Sequence, residues 1–420
     1  MKKLMAGYGE KIINPPLGIE LTGYGFYLER KANYINDDLK VRSLSIYNGK
    51  ERCILISCDL IGLDINFSDK IRNEISKEFN LPFSNIMISS THTHTGPATM
   101  KLRGCGEIGE MEKEYLLKLN SFIKESVKNA LNSEKESEFF AGFETIEPIG
   151  FNRRNGTFFP VDPLLKVGIF KRDKEKIYLI NYACHPVILG KGNFISADWP
   201  GGVIRKIERD GNYCIFFQGF CGDIDPVTNK NRWGKGTKED IELYAEIIKN
   251  RVSKIEKYAF FVDSDIKCFY EKILLPLKIP KKEEIKLEKE KLLKKNDNPE
   301  WKKFLDDWEK EAIEKYDELR NNPYIEFPIH FISIGELKFI GLAGEIFCEY
   351  DLNLRKDFQN LFTFGYTDGV IGYIPTKDAY KIENDYACYL APKIFSIFPF
   401  SSDIEDIILE KLKEKVVSYF

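Results

Sequence analysis

Residues 85–97 read Asn85-Ile-Met-Ile-Ser-Ser-Thr-His-Thr-His-Thr-Gly-Pro97, and this stretch holds two of the four histidines in a chain of 420 residues. The run Asn85 to Ser90 is short, apolar and rich in β-branched residues, the pattern of a buried strand, and Gly96-Pro97 stops it. If the backbone stays extended through residue 94, His92 and His94 point to the same face, because side chains alternate along a strand. Two imidazoles on one face at the carboxyl end of a strand sit where open α/β sheets keep their sites. A pair of this kind is the smallest seed of a metal or catalytic centre, since imidazole is the commonest metal ligand.

Working outward, the same kind of run recurs near 42–47, 53–58, 165–170, 176–182 and 214–218, with amphipathic helical patterns near 67–79, 112–132 and 238–256. The alternation predicts an α/β fold, a mixed β-sheet core flanked by helices with the site at strand carboxyl ends. Residues 330–343 read as a hairpin turning at Gly335-Glu336, residues 361–365 as a further strand, and 404–418 as a closing helix. Between 276 and 322 the sequence turns strongly charged, and a helical hairpin broken at Asn298-Pro299 is expected there as an insertion able to act as a lid. No repeat or low-complexity linker divides the chain, so residues 1–420 are expected to form one domain.

The net charge of −3 exerts no pull toward nucleic acid, so a small molecule is the expected partner. No integral membrane segment and no leader-like apolar stretch is visible, which predicts a cytoplasmic protein. Nine cysteines without a C-x-x-C pair fit neither a disulfide framework nor a thiolate metal site. The composition says nothing of oligomeric state.

Four more polar clusters follow apolar runs: Asn181-Tyr-Ala-Cys-His185-Pro, Gln218-Gly-Phe-Cys-Gly-Asp223-Ile-Asp225-Pro, Gly344-Glu345, and Gly372-Tyr373-Ile-Pro with Tyr380 and Tyr386 beyond. Together they supply imidazoles, a carboxylate and phenols but no thiolate. Nitrogen and oxygen donors suit a catalytic metal with an open position, whereas closed structural sites favour cysteine. Asp198 of Ser-Ala-Asp-Trp-Pro-Gly, or Asp223, is the expected acceptor for the second nitrogen of a ligating histidine. The serine-hydrolase elbow, the phosphate-binding P-loop and H-E-x-x-H are all missing from the sequence.

In order, THTHTGP, FNRR, NYACHPV, SADWPGG, QGFCGDIDP, AGE and GYIPT, preceded by Gly7-Tyr-Gly-Glu-Lys-Ile-Ile-Asn-Pro-Pro-Leu-Gly18, resemble the neutral/alkaline non-lysosomal ceramidase family. The resemblance spans most of the chain outside 276–322. It implies a zinc-dependent amidohydrolase that cleaves the N-acyl bond of a lipid-like amide, with one Zn2+ per chain. It also implies His92, His185, Glu345 and Tyr373 as the zinc ligands, His94 as a hydrogen-bonding group beside the scissile amide, and Arg153 as a substrate contact. Tyr386 matches a further family tyrosine, set one residue further from Tyr373 than the family spacing. Secreted members carry a leader and a C-terminal sandwich domain that this sequence does not display, which keeps a soluble N-acyl compound or an ester open as substrate. A two-metal phosphoesterase and a non-catalytic metal-binding protein are the remaining alternatives.

Overall fold

A computed structural model describes residues 4–419 except 107, 233 and 297. Its centre is a nine-stranded mixed sheet. The main path runs Tyr213–Gln218, Lys176–Tyr182, Leu164–Lys171, Lys135–Thr145, Leu4–Ile12, Lys40–Tyr47, Arg52–Cys58 and Ile86–Ser90, and Phe260–Phe261 pairs with Lys135–Thr145. The two outermost pairs on the path are parallel and the interior pairs antiparallel. Parallel neighbours require crossovers, and the helices Ile65–Phe79 and Asp198–Glu208 supply them.

The alternation within each strand sets the layers. In Ile86–Ser90, Ile86 and Ile88 join Ile71, Ile75, Leu119 and Ile123 on the helical side, while Met87 faces away from them. On that far side a four-stranded sheet of Ile266–Pro276, Tyr324–Ile334, Leu337–Leu342 and Leu361–Phe364 packs on the first. The Phe217 and Phe364 rings stack between the sheets with centroids 4.3 Å apart, a contact worth about 1 kcal/mol beyond its buried area. Strands with both faces covered need apolar residues at successive positions, hence Cys53-Ile-Leu-Ile56, each fully buried. The fold is thus α/β, as the alternation predicts.

The charged segment forms three helices, Lys282–Lys295, Pro299–Glu314 and Tyr316–Asn321. Asn298 caps the second through its side-chain oxygen, which accepts from the Trp301 N–H at 2.8 Å, and Pro299 starts it. Ile285, Phe304, Leu305 and Trp308 are buried beneath it. Phe26 stacks on Phe304 at 4.0 Å, the Tyr27 hydroxyl donates to Asp307 at 2.7 Å, and Glu311 takes ion pairs from Lys101 and Arg103. No helix among the described residues is long and apolar enough to cross a membrane. All nine cysteines are free, and eight of them are buried.

Candidate metal centre

The candidate residues arrive from strand carboxyl ends. Ile86–Ser90 leads into His92 and His94, Lys176–Tyr182 into His185, and Leu337–Leu342 into Glu345. Glu345 and Tyr373, 28 positions apart, face each other in a two-residue parallel ladder of Glu345-Ile346 with Tyr373-Ile374. Gly222 presses on that ladder: a Cβ there would meet the Glu345 carbonyl oxygen at 2.3 Å.

The chain does not stay extended through residue 94, contrary to the expectation from alternation. Its strand ends at Ser90, and His92 takes a left-handed backbone with φ of 70°. The histidine N–H and that of Thr91 are drawn off to the carbonyls of Leu60 and Cys58, both at 2.8 Å. That pairing bends the backbone and turns the imidazole inward, a conformation costing about 1 to 3 kcal/mol that surrounding structure must impose.

The buried imidazoles of His92 and His185 are each tethered by main-chain carbonyls. His92 Nδ1 donates to Ile61 O at 2.6 Å, and His185 Nδ1 lies 2.8 Å from Cys221 O and 3.1 Å from Ile224 O. A proton on Nδ1 leaves the Nε2 lone pair of both rings aimed at a common centre. Glu345 Oε2 stands 3.5 Å from His92 Nε2 and 3.3 Å from His185 Nε2. His185 Nε2 and Glu345 Oε2 are both buried, and neither has a hydrogen-bond partner among the described residues. Such orphaned atoms are costly in a finished core and ordinary around a cation.

His94 Nε2 comes within 3.1 Å of His92 Nε2, so the three histidines together offer nitrogens within 4.8 Å of one another, a group that can hold a metal ion. Neither expected aspartate is the histidine acceptor. Asp198 takes the N–H groups of Ile188, Leu189 and Trp199, and Asp223 takes the Cys348 N–H and the Asn152 amide. Both shape loops, because carbonyls already occupy the Nδ1 positions.

Burial drives the His94 imidazole well toward its neutral form, helped by the neighbouring His92 and His185. Burial also lowers His185, with Arg153 adding to it. For Glu345, burial opposes the charge, but His92 and His185 outweigh it and hold the carboxyl well below its usual range. Arg153 donates to the Tyr373 hydroxyl at 2.7 Å and to Gly222 O at 2.8 Å, and pairs with Asp225 at 3.2 Å. The Tyr386 ring lies edge-on to Tyr373 at 5.6 Å.

Tyr366 went unnoticed in the sequence. Its buried ring stacks on His92 at 3.9 Å, fixing the plane of the imidazole. The tyrosine follows Leu361-Phe-Thr-Phe-Gly365, the strand position being its one signal. The fourth histidine, His330, is bound on both nitrogens, to Asp368 and to Ser84 O, and lies outside the cluster.

A cavity of about 480 Å³ opens over His92, His94, Glu345, Tyr373 and Tyr386. Most of the remaining wall is apolar, among it Met100, Leu102, Val370 and Ile394, and the helical insertion closes part of it with the polar Asn298 and Glu300 and with Trp301. Of the aromatic run 395–400, Phe395 reaches this wall while Phe398 and Phe400 are core.

No protein-family model and no curated protein matches the sequence. Among solved structures, the chain is similar to a neutral ceramidase from Pseudomonas aeruginosa, with a TM-score of 0.74, 14% identity, and coverage of 98% of this chain and 73% of that one. A ceramidase complexed with C2 aligns with the same TM-score and identity over 99% of this chain and 76% of that one. The chain therefore has a neutral ceramidase-like fold.

Proposed function

We propose that the chain is a zinc-dependent hydrolase that cleaves an N-acyl amide, in the manner of the ceramidases whose fold it shares. The observation that carries the reading is the pair of orphaned buried atoms, His185 Nε2 and Glu345 Oε2, 3.3 Å apart beside the His92 Nε2. His92, His185, Glu345 and Tyr373 are assigned as the residues that hold the ion, one per chain. Nitrogen and oxygen donors without sulfur fit a catalytic zinc. When bound, such an ion supplies Lewis acidity and lowers the pKa of a water to about 7.

The remaining groups act on the substrate. His94, on the cavity wall beside the ligand cluster, is assigned the hydrogen bond to the amide oxygen that gains charge. Tyr386 offers a phenol on the same wall for the leaving nitrogen. Arg153, bonded to the Tyr373 hydroxyl, orients that phenol and the substrate together. The apolar walls exclude water and take the acyl chain.

The test is metal analysis joined to turnover of N-acyl amides of graded chain length. One zinc per chain, with activity abolished by a chelator and restored by zinc, is expected. A chain without bound metal that still hydrolyses these amides would overturn the reading.

A further inference from the structure

A second cavity, about 970 Å³, meets the first at His94, Tyr373 and Tyr386 and differs from it in character. Three cations line it, Arg153, Arg154 and Lys230, against two carboxylates, Asp225 and Asp385. Arg153 is taken up by Asp225 and Tyr373. Arg154 meets Asp385 through Nε alone, at 3.0 Å, and its two terminal nitrogens make no hydrogen bond to a described residue. Lys230 donates to Gly156 O and is held over the Phe151 and Phe158 rings at 5.4 and 5.2 Å. No carboxylate among the described residues lies within 4 Å of it.

Among the lining side chains cations thus outnumber carboxylates by three to two, with the exposed Lys230 in excess and with arginine donors ready for a planar or tetrahedral anion. Beside it, the first cavity offers an apolar wall suited to an acyl chain, and the two join over the groups assigned above to the scissile bond. A neutral amino-alcohol head would leave those donors unmatched. We propose that the second cavity binds an anionic group, carboxylate or phosphate, on the amine half of the substrate, so that N-acyl amino acids or N-acyl phosphoamines are preferred over neutral N-acyl alcohols. This assignment rests on the amide-hydrolase reading for which half of the substrate lies where.

The experiment is calorimetric binding of N-dodecanoylglycine, N-dodecanoylphosphoethanolamine and N-dodecanoylethanolamine to the full chain, with hydrolysis of the same three read separately. At least one anion should bind about tenfold or more tighter than the neutral amide, and the tighter of the two identifies the source of the charge. The advantage should shrink about threefold in Lys230→Gln, vanish in Lys230→Glu, and weaken in high salt for the unaltered chain, a readout that needs no variant. Binding of all three within twofold, or an advantage that survives either Lys230→Glu or high salt, would overturn the anionic subsite. Charge-selective binding without turnover of any amide would instead sink the hydrolase reading and leave the subsite standing.

Discussion

Replacing Glu345 by glutamine isolates the charge at the proposed centre, because the amide keeps the shape and one oxygen while removing the anion that lies 3.3 and 3.5 Å from two imidazoles. Four-ligand zinc sites bind with about 10 to 16 kcal/mol, or roughly 2.5 to 4 kcal/mol per ligand. Loss of one such share corresponds to about a hundredfold to a thousandfold in affinity, and the retained amide oxygen sets the expectation at the lower end. A competition titration against a chromophoric chelator reads this directly. Thermal unfolding gives an independent measure: a hundredfold weaker site loses about 2.7 kcal/mol of zinc-dependent stabilisation at a fixed metal concentration. Without zinc, Glu345→Gln should itself unfold somewhat more easily than the unaltered chain at neutral pH, since His92 and His185 favour the carboxylate there, so the zinc-dependent increment is read against each protein's own metal-free baseline. A variant that binds one zinc per chain with undiminished affinity would refute the assignment of Glu345 and the reasoning built on its orphaned oxygen.

Gly23→Ala should destabilise the chain by about 2 kcal/mol in urea unfolding and lower kcat/KM, because φ is +103° there and the new Cβ would meet His94 Cγ at 2.6 Å. Trp301→Ala removes part of the cavity wall; at about 0.8 kcal/mol per buried methylene, substrates two methylenes longer should gain up to about tenfold in relative kcat/KM, and an unchanged chain-length profile would refute the wall assignment. At Glu311, burial pulls the carboxyl upward, but Lys315, Lys101 and Arg103 outweigh it and bring it to about 2. Its folded value lies below the unfolded one of about 4.3, so its contribution is full above that pH and is lost on acidification toward 2. Allowing for solvent screening, Glu311→Gln should cost about 1 kcal/mol at pH 6, with the gap narrowing between pH 5 and 3 in urea midpoints.

Periodicity reached the sheet where both faces are buried. Ile86-Met-Ile and Cys53-Ile-Leu-Ile leave little choice but a strand between two layers, and the hairpin at Gly335-Glu336 sits where its turn residues put it. Lys135–Thr145 and Ile266–Pro276 escaped because charged residues interrupt them; the second is an edge strand of the small sheet, half-exposed along most of its length. The candidate residues were legible as residue types, since imidazoles and a carboxylate after apolar runs are rare. Their surroundings were not. The acceptors for the histidines are carbonyls of Ile61, Cys221 and Ile224, and a backbone oxygen carries no residue identity to read. Aspartates looked suitable on chemical grounds, yet their oxygens are consumed by loop N–H groups that become neighbours only on folding.

The Glu345–Tyr373 ladder carries a consequence for how this protein tolerates change. The separation of the two side chains is set by a pair of main-chain bonds, Glu345 N–H to Gly372 O and Phe347 N–H to Ile374 O, rather than by the length of the intervening helix and strand. A change of length at the exposed turn of residues 356–359 would therefore leave both side chains in place, whereas a single-residue slip inside the ladder would carry the carboxylate to the opposite face and dismantle the cluster.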